Sequence, residues 1–134
     1  MKTYVRYAPQ RTSSLIDSVF APGAQRTSSR PAVDIRETED RYILDAEFPG
    51  VSEGEVEIQV EENLLTISSE PKQEKTNEGY LVRERRIAPT KRSFVLPKDV
   101  DRNGIEARFS NGVLTIELKK AESAKPRRIE ISSN

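Results

Sequence analysis

The chain has 134 residues, 34% of them apolar and 33% charged, with 22 basic and 22 acidic side chains and no net charge. That length suits one domain with tails, and an apolar share below the ~45% usual in globular domains predicts a small core, marginal monomer stability and association between copies. Zero net charge argues against a nucleic-acid partner, and the chain lacks the cysteine and histidine that supply thiol chemistry, the commonest general base and the commonest transition-metal ligand.

Residues 1–31 read as a flexible N-terminal arm, rich in Ser, Thr, Arg, Pro and Ala and interrupted by Pro9, Pro22, Gly23 and Pro31. Within it Leu15, Ile16, Val19 and Phe20 recur at helical spacing, with Ser13 or Ser14 as an N-cap. Such a short helix is marginal alone. The cluster either contacts other chains, as apolar patches in polar surroundings tend to, or packs on its own domain.

From residue 33 the hydrophobic period becomes two. Val33 and Ile35 alternate with Asp34 and Arg36, and Tyr42, Leu44, Ala46 and Phe48 alternate with Ile43, Asp45 and Glu47 until Pro49-Gly50 ends the strand. Val56, Ile58 and Val60 alternate with glutamate and glutamine, and the Glu62-Asn63 turn leads to Leu64–Ser68. Residues 70–84 form a long polar excursion, within which Tyr80-Leu81-Val82-Arg83 has the makings of a further strand. Phe94 and Leu96 flank Val95 before Pro97; Ile105, Ala107 and Phe109 follow, and Asn111-Gly112 predicts a type I′ hairpin to Leu114, Ile116 and Leu118. Seven or eight short strands without a long helix predict an all-β, immunoglobulin-like antiparallel β-sandwich over about 32–120. A polar C-terminal extension, 121–134, ends in Ile129-Glu130-Ile131, whose two isoleucines share one face of an extended chain. On spacing alone this is either a docking motif or an ordinary terminal strand.

Charge is blocked along the chain. Residues 33–69 hold two basic and eleven acidic side chains, net −9, whereas 70–98 hold eight basic and four acidic, net +4. The carboxylates are either a partner for the basic block or a solvated face, and no spacing singles out an acid–base pair. No catalytic residue, metal or cofactor is expected. No apolar run approaches the ~20 residues that span a bilayer and the N-terminus has no signal-type apolar region, so a cytoplasmic protein without stable membrane insertion is expected.

Five motifs occur in order. Phe48-Pro49-Gly50-Val51, Glu84-Arg85 after Tyr80, Arg92-Ser93-Phe94-Val95-Leu96-Pro97, Ala107–Leu114 with its Asn-Gly-Val-Leu end, and Ile129-Glu130-Ile131 together resemble the small heat-shock proteins of the bacterial and plant type, whose sandwich is the α-crystallin domain. The resemblance implies an ATP-independent holding chaperone that keeps unfolding client proteins soluble and assembles large homo-oligomers from dimers. It implies a dimer interface in which the loop 70–84, at Tyr80, Leu81, Val82 and Arg83, meets the first strand of a partner at Val33 and Ile35. It also implies that Ile129 and Ile131 dock in a groove of another dimer formed by Val56, Ile58, Val60, Ile105, Ala107 and Phe109. Leu15, Ile16, Val19 and Phe20 then serve client or assembly contact. The alternative on the same sandwich is a p23-like co-chaperone or other interaction module, which lacks the Ile-x-Ile tail and the long loop.

Overall fold

A computed structural model describes residues 30–72, 79–85 and 87–133. The apolar cluster Leu15, Ile16, Val19 and Phe20 lies outside the described residues. Seven strands form: β1 (Val33–Glu37), β2 (Arg41–Glu47), β3 (Val56–Glu61), β4 (Leu64–Ser69), β5 (Thr90–Val95), β6 (Val100–Ser110) and β7 (Val113–Lys120). They make two antiparallel sheets, one of order β1-β2-β7-β6 and one of order β3-β4-β5.

The period-two pattern sets which residues face inward. Tyr42, Leu44 and Ala46 of β2, Leu65 and Ile67 of β4, and Leu114, Ile116 and Leu118 of β7 are buried, joined by Phe48, Phe94, Leu96 and Val100. The central strands β2, β7 and β4 therefore carry most of the core. Edge strands contribute half-buried residues: Val33, Ile35, Val56, Ile58, Ile105 and Phe109 pack against the cluster from its margin.

Turn chemistry fixes the register. Phe48–Val51 is a type II turn with Pro49 at its second position, Gly50 at φ 74° and Val51 N–H donating to the Phe48 carbonyl at 3.2 Å. Asn111 and Gly112 have φ 52° and 74°, as a type I′ hairpin requires. The two turns meet, because Phe48 N–H donates to the Gly112 carbonyl at 2.7 Å.

Three elements differ from the sequence pattern. β6 starts at Val100 rather than near Ile105, with a register shift between those residues where Asp101–Gly104 lacks alternation. β5 starts at Thr90, ahead of its apolar residues, because Ser69 and Thr90 pair across the ladder and their hydroxyls bond at 2.8 Å. Tyr80–Arg83 is not a strand among the described residues, and an extended segment needs a ladder partner to be one.

The long loop is tied where it departs. The Glu55 carboxylate accepts hydrogen bonds from Ser52 N–H (2.8 Å), the Ser52 hydroxyl (2.8 Å) and Lys72 N–H (2.9 Å). These bonds hold its pKa at about 2, below the ordinary 4.5. A carboxyl depressed in the folded state contributes stability that is complete above pH 4.5 and disappears as pH falls through about 2. Acid unfolding followed by circular dichroism should therefore show a shallower loss of stability between those values in Glu55→Gln than in the parent. Gly112→Ala, which forces a side chain to φ 74° with its Cβ 3.3 Å from the Phe48 carbonyl oxygen, should lower denaturant stability by about 1–2 kcal/mol.

Candidate functional site

The two sheets do not close on each other at every side. β3 is an edge of the three-stranded sheet and β6 an edge of the four-stranded one. Between them lies a groove of about 430 Å³ lined by Val56 and Ile58 on one wall, Ala107 and Phe109 on the other, and Leu114, with Glu53 and Arg108 also at its lining. Four of the six residues expected there, Val56, Ile58, Ala107 and Phe109, are brought together. Val60 and Ile105 are not in this lining: Val60 stands 40% exposed on the far stretch of β3, and Ile105 packs against the core. Leu114 was not among the expected residues, although it is legible from the hairpin register that pairs it with Phe109. Nothing in the sequence signalled Glu53.

Residue parity explains the apolar lining. Val56 and Ile58 share the inward face of β3, as Ala107 and Phe109 share one face of β6. An edge strand has no neighbour on one side, so Val56, Ile58 and Phe109 stay half-buried and Ala107 is exposed. Ala107, flanked by Ile105 and Phe109, leaves space where a larger side chain would fill it.

The tail ends in the opposite condition. Ile129 is 73% and Ile131 96% exposed. The chain follows β7 with a single 3₁₀ turn, Glu122–Ala124, where Lys125 ion pairs with Glu122 at 2.6 Å. Beyond it no residue of the tail belongs to a helix or strand among the described residues.

A second unpaired edge belongs to β1. Val33 and Ile35 lean on the core, and among the described residues the outer side of β1 has no ladder partner. Tyr80, Leu81 and Val82 are 49%, 100% and 73% exposed, and the Arg83 guanidinium lies 4.8 Å from the Tyr80 ring centroid. The structure thus presents an open edge and an exposed apolar segment, but it does not bring the two together within one chain. Beside the start of β1, Arg92 links the sheets: it donates to the Pro31 carbonyl at 3.1 Å and lies 5.3 Å from the centroid of the Phe94 ring. A further recess of about 430 Å³, unforeseen from the sequence, opens where the long loop leaves at Pro71 and returns at Ile87 and Ala88, with Pro31, Phe48 and Val51 among its walls.

Among the described residues no helix is long and apolar enough to cross a membrane, and no three acidic side chains group as a metal site.

Known proteins share this arrangement. The model of the Hsp20/alpha crystallin family matches residues 34–132. Small heat shock protein C2 of Rickettsia felis is 39% identical over 103 residues, covering 75% of this chain and 67% of that protein. A 17.1 kDa class II heat shock protein of Pisum sativum is 38% identical over 130 residues, covering 92% and 80%. Among solved structures, a small heat-shock protein from Xylella fastidiosa superposes with a TM-score of 0.67 at 34% identity, over 80% of this chain and 100% of that one. Heat shock protein 16.0 of Schizosaccharomyces pombe gives 0.66 at 32%, over 84% and 81%. With the sandwich, its open groove and its exposed Ile-x-Ile tail in place, the match over 34–132 means that the chain belongs to the Hsp20/alpha crystallin family.

Proposed function

We propose that this chain is an ATP-independent holding chaperone of the cytoplasm, built as an arm, a sandwich and a tail, which binds unfolding proteins and assembles from dimers into exchanging oligomers. One observation carries the reading: an apolar groove left open between β3 and β6, in a chain whose tail exposes Ile129 and Ile131. The hook of one dimer fills the groove of another.

The energetics suit an assembly that opens. Each isoleucine contributes about 1.5–3 kcal/mol if fully buried, and ordering the tail offsets much of that. Single hooks therefore release and rebind, while several hooks on one particle act together through effective concentration. Heating or dilution frees grooves and arms, and apolar contact is non-directional, so diverse unfolded chains fit the same surfaces.

The dimer forms when the segment Tyr80–Arg83 of one subunit adds to the open edge of β1 in its partner, at Val33 and Ile35. Both parts have something to gain: β1 obtains a ladder partner and Leu81 and Val82 obtain cover. The basic loop block then lies near the partner's acidic block, which steers pairing and sets register more than it adds affinity. Leu15, Ile16, Val19 and Phe20 supply the client or assembly contact of the arm.

Three measurements check these points. A heat-labile enzyme should stay soluble at near-equimolar chaperone, equally with and without ATP; unhindered aggregation would be decisive against the holding activity. Ile129→Ala combined with Ile131→Ala should elute from size exclusion mainly as dimers, and persistence of large particles would exclude the hook. Subunit association should slow as salt rises, since exposed complementary charge is screened beyond about 10 Å at 0.1 M; a rate indifferent to salt would remove the steering argument.

A further inference from the structure

The inward row of β7 runs Leu114, Ile116, Leu118 and then Lys120. Parity calls for a fourth apolar side chain, yet the position holds a lysine that is 7% exposed. Its ammonium pairs with the Glu37 carboxylate at 2.8 Å and stands 5.0 Å from the centroid of the Tyr42 ring. The Tyr42 hydroxyl donates to the Asp99 carboxylate, 3.0 Å from Oδ2 and 3.2 Å from Oδ1. Burial and the Asp99 carboxylate push the Tyr42 phenol above its ordinary value, so it stays protonated and remains the donor. The backbone is clamped at the same point: Lys120 N–H donates to the Asp40 carbonyl at 2.8 Å and Ala121 N–H to that of Asp99 at 2.7 Å.

A desolvated ammonium is a costly way to fill a core position, because apolar residues of similar volume often serve stability as well or better. What the ion pair adds is direction: it fixes the relative placement of its partners, which apolar contact does not. Its location is the root of the tail. Immediately beyond Lys120 the chain turns through Glu122–Ala124 and leaves toward Ile129 and Ile131. The root is not packed tightly there, since an open cavity lined by Glu37, Thr38, Lys120, Ala124 and Lys125 separates the β1–β2 turn from the tail. The other end of the ion pair, Glu37, is the last residue of β1, the edge strand.

We propose that Glu37, Lys120, Tyr42 and Asp99 form a positioning device that sets the direction in which the tail leaves the sandwich, and so presents Ile129 and Ile131 to a neighbouring dimer. Lys120 is a positioning residue that touches neither groove nor client. The device also connects the two assembly contacts, because a shift of the β1 edge moves the carboxylate that holds the tail root. This inference rests on the hook reading above, and its test separates the two.

The chain contains no cysteine, so introduced cysteines are the only labelling sites. Spin labels at Glu39→Cys and Ser123→Cys report the angle of the tail root by their distance distribution. The measurement uses the full chain carrying Ile129→Ala and Ile131→Ala, so it requires no docking and stands whether or not the hook assembles oligomers. Lys120→Met keeps the length of the side chain and removes its charge. It should broaden the distribution at least about twofold, because local order at the tail root is lost. Lys120→Arg should restore the narrow distribution. An unchanged width in Lys120→Met overturns the proposal. If that variant fails to fold, Tyr42→Phe, which deletes only the donor to Asp99, takes its place, and an unchanged width there overturns it equally. With the hook intact, Lys120→Met should exchange subunits about tenfold faster, as effective concentration falls. A broadened distribution with parental exchange would sever the device from assembly.

Discussion

Leu65 and Ile67 of β4 share one buried cluster with Leu44, Ala46, Ile116 and Leu118 of β2 and β7, and this contact between the central strands holds the two sheets together. All six are at most 1% exposed. The remaining strands are all edges. A chain with 34% apolar residues has enough to fill the middle of a sandwich and too little to close its sides. The β3–β6 groove and the edge position of β1 among the described strands both fit that shortage. Natural sheets usually cover or charge such edges, because an open ladder invites another strand. Here the flanking residues Val56, Ile58, Ala107 and Phe109 are apolar, which is the opposite of protection.

The outer face of the larger sheet is protected. Arg36 pairs with Asp45 at 3.0 Å, Arg41 with Glu117 at 2.6 Å, Arg108 with Glu117 at 3.1 Å, and Lys119 with Glu106. Asp45 also accepts from the Thr115 hydroxyl at 2.7 Å. These pairs cross all four strands. Singly, exposed pairs contribute about 0–1 kcal/mol, so their weight lies more in keeping this face wet and unattractive to other strands. Arg41 and Thr38 hold the Asp40 carboxyl well below the usual carboxylate range, and Lys119 lowers that of Glu106. The acidic block is thus divided. Glu37, Asp40 and Asp45 already have cationic partners in their own chain. Glu57 and Glu61, exposed on β3, form no salt bridge among the described residues.

How much was legible follows from which interactions are local. The strands around Tyr42–Phe48, Val56–Val60 and Leu114–Leu118 announced themselves, since alternation directly encodes which face is buried. The turns at Gly50 and Gly112 did so because few residues tolerate positive φ. The groove was legible for four residues, as it is a product of strand parity. Val60 lies outside the groove lining because parity says which face a residue takes and not how far along a strand the opposite sheet extends. The start of β6 was missed since Asp101–Gly104 has no alternation to read. The Glu55 tie to Lys72 and the Lys120 pair with Glu37 join residues 17 and 83 positions apart, and no local pattern reports such contacts. Lysine at the end of an apolar row looks, in sequence, like the solvated end of a strand.

The same two-residue period occurs in the proposed hook and in the groove. Two residues along an extended chain advance about 6.6–6.8 Å, which is the repeat of Ile129 and Ile131 and equally of Val56 and Ile58 or Ala107 and Phe109. A hook with this spacing meets both walls in step, whereas an intervening pair of residues would turn one isoleucine away from the groove. Matching period gives register without a large interface, and a small interface is what allows release. In the proposed assembly, specificity would come from the rhythm of apolar residues and from the direction in which the tail is aimed, and affinity would stay low enough for the particle to open. The low apolar content that leaves the sandwich unfinished would also keep the proposed closing contacts reversible.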